Sequence, residues 1–282
     1  MIKLTFLVEN KTENSLCMAE HGLSILIETG EKTILFDTGS SDLFADNAAK
    51  IGADLSKVDA VVISHGHYDH TGGVPAFCRA NAKAKIFVHK DAFEEFYGME
   101  NGEMDTEPCG ILWSKEEYDA IRERLFLTDG VHKITDDLII SGTIPKVPGA
   151  VMPEKFFIKD DNGEYTPDEM KHEQFFVVRN KDKGGRNEGL FVFSGCSHQG
   201  VIPVLRYVEN LFPGEKIRCL VAGMHLYNAT GEVRKIVVDE VSKLGIETVM
   251  PVHCTGINAI CDLKSAMGEN CIVASAGKVF EF

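Results

Sequence analysis

Three histidines and an aspartate crowd into six residues, His65, His67, Asp69 and His70, inside the segment ISHGHYDHTGG. Imidazole nitrogens and a carboxylate oxygen are the donors zinc prefers among groups other than thiolates, and iron and manganese accept them as well. The apolar run Val61-Val62-Ile63 precedes the cluster. His65 and His67 therefore leave a strand end on the same side, by the two-residue alternation of extended chain. Asp69 and His70 lie beyond a bend. That arrangement suits two neighbouring metal ions better than one.

Three further histidines each end an apolar run: His198 in FSGCSHQG, His225 in VAGMHL and His253 in MPVHCTG. Ligands in open α/β sheets gather at the carboxyl ends of strands, where His65 also lies. A single histidine at a strand end is ordinarily a core or capping residue. Three of them, beside a fourth strand that already carries a metal motif, point to chemistry. The eight cysteines are scattered with no C-x-x-C pair, which is the pattern of reduced thiols used as small core hydrophobes. Cys196 and Cys254 stand apart because each neighbours one of these histidines.

The elements that must hold these residues follow from the patterning. IKLTFLVEN, LSILIET and KTILFDTGS predict three antiparallel strands with short turns. SDLFADNAAKIG has helical spacing, and DAVVISH is the continuous apolar run of a strand buried on both faces. VPAFCRANA predicts a helix and AKIFVHK a strand. Residues from about 91 to 173 are less regular. They hold Trp113, the helical SKEEYDAIRERL and the Pro/Gly-punctuated SGTIPKVPGAVMPEKF, and they predict a lid-like insertion in a single domain spanning 1–282. Strands EQFFVV, GLFVFSG, KIRCLVAG and ETVMPVHC then alternate with helices near 201–211, 231–244 and 257–267, which implies parallel crossovers. CIVASAGKVFEF closes the chain as a further regular segment. The whole predicts an α/β fold, a four-layer αββα sandwich.

Composition narrows the partners. A formal net charge of −14 over 282 residues, with only the short turn KDKGGR as a basic segment, argues against nucleic acid and against an anionic membrane surface. MIKLTFLVEN lacks the apolar core and cleavage site of an export signal, and no stretch reaches membrane-spanning length, so a cytoplasmic location is expected.

With H-x-H-x-D-H, FDTG and PVHCTG in place, the chain resembles the metallo-β-lactamase-fold superfamily of metallohydrolases. The fuller set FDTG, SHGHYDHTGG, SGCSHQG, GMHL and PVHCTG is similar to a subgroup around the dihydropterin/ribofuranosylaminobenzene 5'-phosphate synthase of methanopterin biosynthesis. The resemblance implies two divalent metal ions, zinc first, with iron or manganese as alternatives. It places His65, His67 and His198 on one ion, and Asp69, His70 and His253 on the other. Asp37 would orient a ligating histidine or brace the motif loop, unless it is a turn residue. Gly72 and Gly73 would let the backbone pass close to the metals, or serve only as a helix-start turn.

One departure stands out: where the superfamily supplies a bridging aspartate this chain has Cys196, which is a soft bridging thiolate, or leaves the bridge to water or substrate, or is inert packing, the last slightly preferred. His225 has no ligand counterpart in the motif set; it is either a further ligand or, as preferred, the acid that protonates a leaving group. The activity implied is a metal-dependent hydrolase in which two metals generate hydroxide, with Asp69 and His225 as catalytic residues. Asp69 is the only charged group among six proposed ligands, so the site stays electropositive and favours an anionic small-molecule substrate, a phosphate ester above all. Two alternatives remain. One is a transferase joining a pterin methyl group to an arylamine, for which Trp113, Phe156 and Phe157 would offer stacking surfaces. The other, ranked lower, is a di-iron redox centre, which would need a nearby flavin.

Overall fold

The N-terminal runs form β1 (Lys3–Val8), β2 (Ser24–Glu28) and β3 (Thr33–Phe36), paired antiparallel in that order as the patterning predicts. These coordinates are a computed structural model, which describes residues 1–100, 102–147, 155–182 and 184–282. Helix α1 (Leu43–Ile51) buries Phe44, Asn47 and Ala48 and stops at Gly52, whose φ of 75° is the left-handed cap that glycine takes without strain. Strand β4 (Ala60–Val62) is buried throughout and runs parallel to β3, which explains its unbroken apolar sequence. The one-turn α2 (Tyr68–Thr71) and α3 (Val74–Ala80) follow, then β5 (Lys85–His89), parallel to β4.

The stretch from 91 to 173 contributes to several elements. It supplies β6 (Phe96–Glu100), β7 (Glu103–Met104), α4 (Lys115–Ile121) and β8 (Leu125–Thr128). Ser114 and Glu117 form a reciprocal capping box that starts α4. Next come β9 (His132–Lys133), β10 (Leu138–Ile140), β11 (Lys155–Lys159) and β12 (Tyr165–Pro167). Residues 148–154 of the expected Pro/Gly segment, and Lys183 of the expected KDKGGR turn, lie outside the described residues. The C-terminal third contains β13 (Phe176–Lys181), β14 (Asn187–Ser194), α5 (Val201–Leu211), β15 (Ile217–Gly223), α6 (Gly231–Lys243), β16 (Thr248–Val252), α7 (Ile257–Met267) and β17 (Val279–Glu281).

These elements form two units. The first comprises Met1–Asp129, Glu154–Glu173 and Ser275–Phe282; the second comprises Gly130–Pro153 and Gln174–Ala274. The first holds a seven-stranded sheet, β17-β1-β2-β3-β4-β5-β8, and a four-stranded sheet, β12-β11-β6-β7. Its core packs Leu35, Phe44, Val61, Phe77 and Ile86 among others. The second holds the six-stranded sheet β16-β15-β14-β13-β10-β9. Strands β14, β15 and β16 are mutually parallel, as the predicted crossovers require. Helix α5 seats Val201, Val204, Leu205 and Val208 against that sheet, the one-face spacing of an amphipathic helix. Each such side chain removed from water contributes about 1.5–3 kcal/mol.

CIVASAGKVFEF differs from expectation. Cys271 makes an isolated bridge to Val249 in the second unit, and only Val279–Glu281 is a strand, paired with β1 in the first. Gly277, with a φ of 84°, turns the chain between them. Among the described residues no helix is long and apolar enough to cross a membrane.

Candidate metal centre

Asp37 is the first residue past β3 and has a φ of 56°, a left-handed conformation that costs a non-glycine residue about 1–2 kcal/mol. Its carboxylate is fully buried and held by three hydrogen bonds. Oδ1 accepts the Ser64 N–H at 2.7 Å, and Oδ2 accepts the Ser64 hydroxyl at 2.7 Å and His70 Nδ1–H at 2.6 Å. The Ser64 hydroxyl has a single proton, and Asp37 takes it. His65 Nδ1, 2.9 Å from Ser64 Oγ, must therefore be the donor in that contact. One buried carboxylate thus sets the tautomer of both His65 and His70, so that Nε2 of each carries the lone pair a metal needs.

The motif donors converge. The rings of His65 and His67 are 4.6 Å apart and those of His65 and His70 are 4.2 Å apart. Ligand atoms of His65, His67 and Asp69 all lie within 4.8 Å of one another, and all three residues are buried. Burial, reinforced by His172 and His70, pushes the His67 pKa down to about 3 against the pull of Asp69 and Asp168. Its imidazole is therefore neutral near pH 7, the form that coordinates metal. At His70 burial opposes the charge, yet Asp69, Asp37 and Glu173 together raise the pKa, so this position attracts a cation.

Glycine shapes the loop. A Cβ on Gly66 would lie 2.4 Å from the Ala92 carbonyl oxygen, and one on Gly72 would lie 2.1 Å from that of Ser40. Gly72 and Gly73 thus let the motif press onto the backbone of residues 38–40. Trp113, one of the expected stacking residues, donates Nε1–H to the Thr71 carbonyl at 2.8 Å and so braces α2. Phe156, another, sets its half-buried ring 4.7 Å from that of His67.

Two groups at this cluster carried no sequence signal. His21, on the β1–β2 connection, places Nε2 3.2 Å from Asp69 Oδ2. His172 packs against both His65 and His67, with ring separations of 6.0 and 5.6 Å. Each is an isolated histidine with no motif around it, and only the folded chain brings it to the cluster.

In the second unit the residues after β14, β15 and β16 sit at adjacent parallel strand ends. Ser197, His225 and His253 have φ values of 54°, 48° and 50°, strain of a kind that collects at functional sites. The His198 and His225 rings are 4.4 Å apart, and His198, His225 and His253 are all buried. Ligand atoms of Cys196, His225 and Cys254 lie within 4.8 Å of one another. Cys254 ties this group together: its Sγ accepts the His225 N–H at 3.3 Å and its S–H points at the Cys196 carbonyl at 3.6 Å. A Cβ on Gly223 would lie 2.0 Å from the Gly195 oxygen, so these loops need glycine there too. His253 heads the turn that carries Cys254.

The donors fit divalent cations. They are nitrogen, carboxylate and thiol groups, buried, close together, and in the first unit held in the right tautomer by Asp37.

Residues 18–150 match the Metallo-beta-lactamase superfamily. An uncharacterized protein of Methanocaldococcus jannaschii, MJ0448, is 31% identical over 99% of both chains. The 7,8-dihydropterin-6-methyl-4-(beta-D-ribofuranosyl)-aminobenzene-5'-phosphate synthase of the same organism is 27% identical, over 95% of this chain and 92% of its own. The crystal structure of Tm1679, a metal-dependent hydrolase of the beta-lactamase superfamily, superposes with a TM-score of 0.83 at 30% identity, covering 100% of this chain and 99% of that one. The α/β fold is thus the metallo-β-lactamase fold, and the chain belongs to the metallo-beta-lactamase superfamily.

Proposed function

We propose that this protein is a metal-dependent hydrolase of an anionic small molecule, with a phosphate ester as the favoured class. The observation that carries the reading is the buried cluster of His65, His67 and Asp69, with Asp37 presetting the tautomers of His65 and His70. We assign His65, His67, Asp69 and His70 of the first unit, with His198 and His253 of the second, as ligands of two divalent ions, zinc being favoured. Membership of the superfamily supports this assignment. Such ions, when bound, lower the pKa of water and offset negative charge on the substrate. Asp69 supplies the only negative charge among those ligands, so the centre stays cationic and draws anions. A ring nitrogen of His225 delivers the proton to the leaving group. Cys196 contributes a buried thiol to its neighbourhood.

The test is metal content together with turnover of a phosphomonoester and phosphodiester panel. Metal-dependent hydrolysis that vanishes in Asp69→Ala supports the reading. Full turnover after Asp69→Ala, or a protein that takes up no divalent metal, defeats it.

A second reading has support of its own: a transferase that condenses a pterin methyl group with an arylamine. The synthase relative matches nearly the whole chain, and the half-buried Phe156 ring beside His67 offers a planar heterocycle a stacking face. Condensation of a dihydropterin with an arylamine ribofuranosyl phosphate, without hydrolysis of any ester in the panel, would favour it over hydrolysis.

A further inference from the structure

The backbone between the first two motif histidines is gripped by a residue far along the chain. The Gly66 N–H donates to Nδ1 of His172 at 2.9 Å across a sequence separation of 106. A ring nitrogen that accepts carries no proton, so the proton of His172 sits on Nε2, which donates to Asp168 Oδ2 at 3.1 Å. Asp168 is held in turn. Its Oδ1 accepts the Met170 N–H at 2.8 Å, and its own N–H donates to the Phe156 carbonyl at 2.8 Å. The side chains of His172 and Asp168 are 2% and 3% exposed, and the His172 ring packs 4.3 Å from that of Phe96. It also lies nearly parallel to the ring of His65, at an interplanar angle of 28°.

Gly66 has no side chain to be held by. The Ala92 carbonyl excludes a side chain at this position, so the peptide joining the two histidines is held through its backbone N–H. A buried N–H that loses its acceptor costs about 1–3 kcal/mol, and the segment would shift to recover a partner. The rings on either side would shift with it.

We propose that His172, oriented by Asp168, is a positioning residue of the metal site: it pins the His65-Gly66-His67 segment so that both imidazoles meet a cation without rearrangement. This rests on the reading of His65 and His67 as metal ligands. Groups that orient ligands from behind are worth about 10- to 100-fold in metal affinity.

The experiment measures Zn²⁺ affinity by competition with a chromophoric chelator, on the full chain freed of metal. The proteins are wild type, His67→Ala, His172→Leu, His172→Asn and Asp168→Ala, each with a denaturant midpoint for its metal-free form. His172→Leu is expected to bind about 10- to 100-fold more weakly. His172→Asn, whose Oδ1 can accept where Nδ1 did, is expected to recover most of that loss. A purely structural role would lower the midpoint and leave the affinity of the folded protein intact. Wild-type affinity in folded His172→Leu, or an asparagine variant no better than leucine, overturns the proposal alone. If His172→Leu does not fold, Asp168→Ala carries the test, and wild-type affinity there overturns it equally. Zinc binding that survives His67→Ala unchanged overturns the ligand reading and this proposal with it.

Discussion

Replacing Asp37 by asparagine preserves shape and removes one charge, and the surrounding hydrogen bonds dictate the consequence. The carboxylate accepts the Ser64 N–H on Oδ1, and the Ser64 hydroxyl and His70 Nδ1–H on Oδ2. An asparagine must put its NH₂ group on one side or the other. Facing the Ser64 N–H it sets two donors against each other at a site that now spans 2.7 Å. Facing His70 it forces Nδ1 to accept, which moves the ring proton to Nε2 and removes the lone pair that would coordinate metal. Either way one buried hydrogen-bond group loses its match, at about 1–3 kcal/mol. At about 1.4 kcal/mol per factor of ten, this is roughly a five- to 150-fold loss of metal affinity, provided the free energy falls on the bound state. Chelator competition on metal-free Asp37→Asn reads the affinity, and a denaturation midpoint confirms that the variant is folded. A folded Asp37→Asn that binds metal as tightly as wild type would refute the relay from Asp37 through Ser64 to His65 and directly to His70.

The same geometry sets the outcome of other perturbations. His67 ordinarily titrates near 6.5 but near 3 when folded, so the unfolded chain binds a proton that the folded metal-free protein refuses. That contribution to stability is complete above about pH 6.5 and falls toward pH 3 by about 1.4 kcal/mol per pH unit at its steepest. Urea unfolding across this range should show a shallower decline in His67→Leu, and an unchanged slope would contradict the assignment. His70 runs the other way: its raised folded pKa gives stability that is present below 6.5 and lost as pH climbs through the folded value. Gly66→Ala should lower stability by about 1–3 kcal/mol and weaken metal binding, because its Cβ meets the Ala92 carbonyl; an unaltered denaturation midpoint would count against that contact. Cys254→Ala should cost about 1–3 kcal/mol by stripping the His225 N–H of its acceptor, while Cys254→Ser should retain most of the stability. Equal midpoints for the two variants would show that the thiol contact does not matter.

Much of the site was legible in the linear chain because its parts are local. His65, His67, Asp69 and His70 share one strand end and one turn, and their spacing alone announces metal chemistry. His198, His225 and His253 each follow an apolar run, so strand periodicity placed them at carboxyl ends without knowledge of the sheet. The helices over 201–211 and 257–267 were equally readable, since α5 and α7 bury one face at helical spacing. Of the stretch 91–173 only the helical SKEEYDAIRERL was, as α4. Its short strands are defined by partners elsewhere: β8 exists because β5 lies beside it, and β11 because it pairs with β6. The strandlike CIVASAGKVFEF likewise divides between two units according to its partners, Val249 and β1.

The linear chain thus pointed to a set of candidate donors and to the family of folds able to gather them. Tertiary structure alone decided their chemical state. Whether a histidine presents Nδ1 or Nε2 depends on the group behind it, here Asp37, 33 positions from His70, while the backbone between His65 and His67 is held by His172, 106 positions from Gly66. No periodicity records such a pairing, because a hydrogen bond between distant residues needs only the right atoms brought within about 3 Å by the packing of everything between.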